Sequence, residues 1–171
     1  VIKDQSEQRG ELERLVPGLR RYARALVARD SDAPTADADS LTRDTLARAV
    51  RAERAGRASN PRVWLYATLT TLNRARMRAR KPPVAAKRDQ QSPGVTEALT
   101  ALPLDQREIL LLVVLEGFSY AEVADALGLP RAAIGARVAR ARTVLEERLD
   151  ASRLVERRGK PRTPPHLRLV K

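Results

Sequence analysis

Residues 102–149, LPLDQREILLLVVLEGFSYAEVADALGLPRAAIGARVARARTVLEERL, decide the fold. They read as three consecutive helices, of which the last two form a helix-turn-helix. Ser119, Tyr120, Ala121 and Glu122 have the spacing of a capping box, with the Ser119 hydroxyl on the amide of Glu122 and the carboxylate reaching back. Gly128 supplies the left-handed residue that ends the middle helix, and Pro130 sits where a first-turn proline loses no hydrogen bond. Ile134, Val138, Ala141, Leu145 and Leu149 keep one apolar stripe through the last helix, while Arg131, Arg137, Arg140 and Arg142 occupy its other face. A helix-turn-helix followed by a basic C-terminus points to DNA.

Working outward, aromatic residues make up 3% of the chain, so its cores must be aliphatic helix packing. No strand-like alternation of any length occurs, and the fold class expected is all-α. There is no cysteine, and the one histidine, His166, lies in a polar tail. That argues against disulfides, zinc sites and nucleophile-histidine catalysis. The acids Glu108, Glu116 and Glu122 have the spacing of solvated helix surface pairs, and Asp105 with Glu108 reads as charge favouring a helix N-terminus. No glycine-rich phosphate loop accompanies them, so the expectation is a protein that is not an enzyme, with no metal, cofactor or small-molecule substrate. The longest apolar run, Ile109 to Leu115, is too short to span a bilayer, and nothing resembles a signal peptide, which predicts a cytoplasmic protein without membrane insertion.

A formal net charge of +12 over 171 residues attracts polyanions at long range. The cations are placed unevenly. Arg74, Arg76, Arg78, Arg80 and Lys81 crowd the end of one predicted helix, and Arg153, Arg157, Arg158, Lys160, Arg162, Arg168 and Lys171 populate the tail. Arginines at a helix C-terminus also complement the helix dipole, but this density is the footprint of a nucleic-acid binder.

The first half reads as three further helices. Leu12, Leu15, Leu19, Tyr22 and Leu26 form a helical stripe that Pro17 predicts to be kinked or frayed in its first turns. Arg29 to Ala38 reads as a loop delivering Asp37 or Asp39 to a second helix through Leu41, Thr45, Leu46, Ala49 and Val50. Asn60 caps a third, Pro61 opens it, and Trp64, Leu65, Leu69, Leu72 and Met77 form its buried side. Residues 81–93, rich in proline, glutamine and serine, read as a flexible linker, and Ser92 and Pro93 begin a short helix through Leu102. The expected organisation is two small helical domains, 8–81 and 96–150, joined by a linker at 82–95 and followed by a basic tail at 151–171. Leu154 and Val155 leave open that the last helix runs one turn further.

The run from Ala101 to Leu145 resembles region 4 of a bacterial sigma-70 family factor, and its LPLDQREILLL opening separates it from other helix-turn-helix classes. DADSLTRDTLARAV, residues 37–50, is similar to the region 2 helix that docks on the polymerase β′ clamp. NPRVWLYATLTTLNRARMRARK, residues 60–81, is similar to the helix that handles the −10 element. Regions 2 and 4 joined by a short linker, without regions 1 and 3, resemble the extracytoplasmic-function group, including its alphaproteobacterial general-stress-response type.

The resemblance implies a polymerase specificity subunit whose partners are core RNA polymerase (β′ clamp and β flap), promoter DNA and an anti-sigma factor. It implies −35 contacts from Arg131, Ala133, Gly135, Ala136, Arg137, Arg140 and Arg142. It implies −10 contacts from Trp64, Tyr66, Thr70, Thr71, Arg74, Arg76, Arg78 and Arg80, with Trp64 and Tyr66 as the local stacking candidates beside their roles as core residues. Core polymerase contacts would come from Asp37, Asp39, Leu41, Arg43, Asp44 and Arg48. The chain departs from the pattern where Ala133, Ile134, Gly135, Ala136 and Arg137 replace a Thr-Val-Lys-Ser-Arg type sequence. Thr70 and Thr71 replace an Arg-Asn pair, Ser40 an acid, Arg43 a glutamine and Val50 an aromatic. These departures open two alternatives: a sigma mimic that binds an anti-sigma factor without recognising promoters, and a plain helix-turn-helix regulator.

Overall fold

The computed structural model describes residues 5–28, 31, 33–54, 60–79 and 95–159, with side chains placed from 10 to 151 within those ranges, save at 53, 54 and 96. Those residues form α1 (Gln5–Val27), α2 (Pro34–Arg54), α3 (Pro61–Ala79), α4 (Val95–Thr100), α5 (Leu104–Leu110), α6 (Tyr120–Leu127) and α7 (Arg131–Gly159). A π-helical segment, Leu111–Leu115, continues α5. No strand occurs among the described residues, as the composition predicts, and no helix among them is long and apolar enough to cross a membrane. Most of the expected linker, together with Arg80 and residues 160–171, lies outside the described residues.

α1 stays helical through Pro17, where a kinked or frayed start was expected. Pro17 is exposed, so the missing N–H falls on the solvent side, where water can satisfy the carbonyl it would have bonded. Leu12, Leu19, Tyr22, Ala23 and Leu26 are buried on the opposite side. α2 begins at Pro34, three residues before Asp37, because Pro34 is itself a favourable first-turn residue; residues 34–38, expected as loop, are helical. Ser31 tightens that entry: its hydroxyl donates to Asp37 Oδ2 at 2.6 Å and accepts from the Ala33 amide at 3.0 Å. Asn60 caps α3 as expected, its Oδ1 accepting the Val63 amide at 3.2 Å.

In the second half Ser119 and Glu122 form the reciprocal capping box, and Gly128 ends α6 at φ 65°, a conformation that only glycine adopts without steric cost. Glu122 is held below the usual carboxylate range, first by the Ser119 backbone N–H and then by its hydroxyl. We expect Ser119→Ala to cost about 1 kcal/mol of stability at neutral pH. A lowered carboxyl stabilises the fold above its ordinary pKa and loses that effect as pH falls through the lowered value. The cost of Ser119→Ala should therefore shrink in acid, which urea unfolding at pH 7 and pH 4 measures. α7 extends to Gly159, well past the expected end near residue 150.

Ile109 to Leu115 is uninterruptedly apolar and cannot fit one α-helical stripe. The wider π turn, closed by the Glu116 amide on Leu111 O at 3.1 Å, spreads it over two surfaces. Leu110 joins Leu102 and Ala141 in a cluster internal to the second half. Ile109, Leu111 and Leu112, with Phe118, Val123, Ile134 and Val138, join Leu19, Tyr22, Leu41, Leu65 and Leu69 in a cluster that runs through both halves. The expectation of two separate cores is thus met only by the smaller cluster. The physical reason is that the second half has two apolar faces, and burying the second one requires the first half.

Candidate nucleic-acid interface

The arginine face of α7 is built as expected. Ile134, Val138 and Ala141 are buried, which turns Arg131, Arg140 and Arg142 to solvent and leaves Arg137 half-buried. None of these four has an ion pair among the described residues, so their guanidinium groups can meet an external anion. Ala136 is exposed and Ala133 half-buried beside them. Gly135 is half-buried with the Tyr120 ring 3.8 Å from where a Cβ would stand, so the space left by the missing side chain borders an aromatic edge of α6.

The −10 candidates divide. Thr71 and Arg78 are exposed, and Trp64 is half-buried against the large cluster. Tyr66, expected as a stacking candidate, is 2% exposed and cannot stack on a base in this conformation. Its ring packs edge-on to Phe118 at 4.9 Å between centroids and tilted to Tyr22 at 5.3 Å. Its hydroxyl donates to Glu116 Oε2 at 2.6 Å, and burial first and that bond second push its pKa up. Thr70 is 1% exposed, its hydroxyl donating to Tyr66 O at 2.8 Å. With that one proton committed, the Tyr22 hydroxyl 2.9 Å away must be the donor of the second bond, and burial raises the Tyr22 pKa as well.

Two of the arginines read as a basic footprint are held by carboxylates. Arg76 donates to Asp44 Oδ2 at 2.6 Å, Ser40 Oγ at 3.0 Å and Asp37 O at 3.3 Å, tying α3 to α2. Arg74 grips Glu108 with Nε 3.1 and 3.0 Å from its two oxygens and Nη2 at 2.5 Å. Glu108 is 0% exposed, and burial, partly offset by Arg74, raises its pKa. The reading of Glu108 and Glu116 as solvated surface acids is corrected here: both side chains are sealed at the junction of the halves, at 0% and 4% exposure. Glu108 shares a helical stripe with Leu104, Leu111 and Leu112, a spacing that marks it for burial once a partner cation is available.

Arg21 and Arg62 are functional-looking residues that the linear pattern does not single out. Arg21 Nε and Nη2 stand 3.0 and 3.1 Å from the two oxygens of Glu116. Arg62 donates to the Glu116 carbonyl, reaches Glu122 Oε1 at 3.3 Å and lies 3.9 Å over the Phe118 ring. On α2, Leu41 is fully buried and so is unavailable to a partner, while Arg43, Asp44 and Arg48 are exposed and Asp37 and Asp39 half-exposed. Arg20 stands 3.8 Å from Asp39.

Residues 94–145 match the family described as Sigma-70, region 4, and residues 12–70 match that described as the Sigma2 domain of PhyR. The chain is 37% identical over 147 residues to the ECF RNA polymerase sigma factor EcfG of Rhodopseudomonas palustris, covering 76% of this chain and 78% of that protein. Among solved structures it resembles the sigma factor RpoE in complex with the anti-sigma factor NepR from Bartonella quintana, with TM-score 0.68 and 28% identity over 84% of this chain and 97% of that one. The fold also matches the anti-anti-sigma factor PhyR complexed with NepR from the same organism, with TM-score 0.57 and 19% identity over 88% of this chain and 61% of that one. Both halves thus match sigma-factor families, and the chain belongs to the extracytoplasmic-function group of the bacterial sigma-70 family of RNA polymerase sigma factors.

Proposed function

We propose that the chain directs core RNA polymerase to a set of promoters, acting in the cytoplasm under an anti-sigma factor and performing no catalysis of its own. The observation that carries this reading is the similarity to EcfG, which runs through both halves over 78% of that protein. In this reading residues 8–81 are a region 2 domain and 96–150 a region 4 domain. The exposed face of α2, with Arg43, Asp44 and Arg48, meets the polymerase β′ clamp, and the second half meets the β flap. Arg131, Arg137, Arg140 and Arg142 place α7 on the −35 element. Trp64, Thr71 and the arginines of α3 handle the −10 element once the halves separate. The likeness to RpoE bound to NepR supports an anti-sigma partner.

Promoter-directed transcription in vitro with core polymerase and a pool of genomic promoters tests this. Specific initiation is the expected result. We further expect Arg137→Ala to weaken binding of the polymerase complex to a mapped promoter fragment by about 1–3 kcal/mol, the usual loss for one arginine contact. Unchanged affinity would remove Arg137 from the interface. A second reading, a mimic that captures an anti-sigma factor, draws on the match of residues 12–70 to the Sigma2 domain of PhyR. Tight capture of an anti-sigma protein without any initiation would select it.

A further inference from the structure

A cavity of about 510 Å³ opens in the first half between the end of α1, the start of α2 and the last turns of α3. Its size falls within the range of about 300–1,000 Å³ usual for small-molecule sites. Val27, Met77 and Ala79 give it an apolar wall, and Asp37, Ser40, Asn73 and Arg76 a polar one. Most of the polar wall is already answered from within the chain. Asp37 accepts from Ser31 at 2.6 Å, and Arg76 donates to Asp44 at 2.6 Å and to Ser40 Oγ at 3.0 Å.

Asn73 is the exception. It is 2% exposed, and its Nδ2 is buried without a hydrogen-bond partner. It follows Leu65 and Leu69 at steps of one turn on the buried side of α3, where a leucine would pack and leave no polar group unpaired. Buried side-chain amides in folded proteins are paired almost throughout, so an unpaired one in a cavity wall marks a group whose partner comes from outside the chain. A half-turn about the Cβ–Cγ bond exchanges Nδ2 and Oδ1 within the same volume. The amide can therefore present either its donor or its acceptor to the cavity.

We propose that this cavity binds a small neutral molecule carrying a carboxamide or lactam edge on an apolar body. The edge, a donor beside an acceptor, pairs with the Asn73 amide in either orientation, and the body lies on Val27, Met77 and Ala79. Ser40 adds a donor, because its oxygen accepts from Arg76 and its own proton is not used in that bond. Neutrality follows from the polar wall: an anion would compete with Asp44 for Arg76, and a cation would meet the Arg76 charge. The site needs neither polymerase nor DNA, so it stands apart from the promoter reading.

Met77 is the single methionine of the chain, so methyl-13C methionine labelling of the full-length protein gives one resonance, and that resonance reports from the cavity wall. The probe is ε-caprolactam, a neutral apolar ring closed by an amide. Its match is cycloheptanone, a ring of the same size that keeps the carbonyl and lacks the N–H. ε-Caprolactam should shift the Met77 methyl and the Asn73 side-chain amide signals together, saturating with a dissociation constant of about 1 mM, the affinity open to so few ligand atoms. Cycloheptanone should bind the wild type about tenfold more weakly, the loss of one hydrogen bond, and Asn73→Ala should erase the difference between the two rings. Shifts that grow without saturating would overturn the site. Equal affinity of the wild type for the two rings, or an Asn73→Ala variant that keeps the preference, would overturn the amide pairing and leave an apolar crevice. Should Asn73→Ala fail to fold, the comparison of the two rings on the wild type decides by itself.

Discussion

Arg74→Ala is expected to destabilise the chain by about 3 kcal/mol at pH 8, the low end of the range for breaking a buried ion pair. The low end applies because the Arg74 side chain is 36% exposed and water already screens it. What makes the loss large is Glu108, which stays fully buried and loses its hydrogen-bonded cation, keeping only the weaker pull of Arg107. Burial holds the Glu108 carboxyl above its ordinary value of 4.5, and Arg74 is the largest influence pulling it back down. In the variant that pull is gone and the folded-state pKa climbs further. A carboxyl raised in the folded state takes up protons relative to the unfolded chain, so its contribution is fully present below the ordinary value and is lost as pH rises through the folded one. The Arg74→Ala deficit should therefore be greatest at alkaline pH and shrink to the lost packing in acid. Adding Glu108→Gln should recover part of it at pH 8. Urea unfolding of the wild type, Arg74→Ala, Glu108→Gln and the double variant across pH 5–8 measures this, and a deficit independent of pH would show that Glu108 is not the cause.

Phe118→Ala should cost about 3–5 kcal/mol, the usual range for removing a buried phenylalanine. Phe118 is 3% exposed, packs its ring on Tyr66 and lies under the Arg62 guanidinium, so its loss empties the seam between the halves. The second half keeps its own cluster of Leu102, Leu110 and Ala141, which the substitution does not touch. We therefore expect unfolding to lose its cooperativity. Trp64, the single tryptophan, reports on the first half, and far-ultraviolet circular dichroism reports on all the helices. In the wild type the two signals should fall together in urea. In Phe118→Ala the tryptophan signal should change at lower denaturant, and coincident transitions would argue that the halves are bound by something other than this seam.

Much of the local structure is legible in the chain because it depends on neighbours a few residues apart. The Ser119 capping box, the Gly128 stop, the Asn60 cap and the Ile134, Val138, Ala141 stripe all formed where short-range chemistry places them. The α2 boundary was missed because two rules competed there, and the proline at 34 won over the acids at 37 and 39. The candidate interface was legible in its α7 half, where the arginines need only lie opposite a buried stripe. It was less legible in α3. Tyr66 and Thr70 have the same periodicity whether they face a partner or a core, and nothing local says that Glu116 and Tyr22 will be waiting for them.

The sequence by itself determined an all-helical chain, a helix-turn-helix with a cationic face, and membership of a family whose motifs it carries in order. Those follow from periodicity, caps and charge, which act within one or two helical turns. Only the tertiary structure decided that the halves share a core, that Glu108 and Glu116 are sealed inside it, and that Arg21, Arg62 and Arg74 are their partners. The reason is that an ion's worth depends on its surroundings: the same glutamate is a solvated surface charge or a buried latch according to what a segment tens of residues away brings against it.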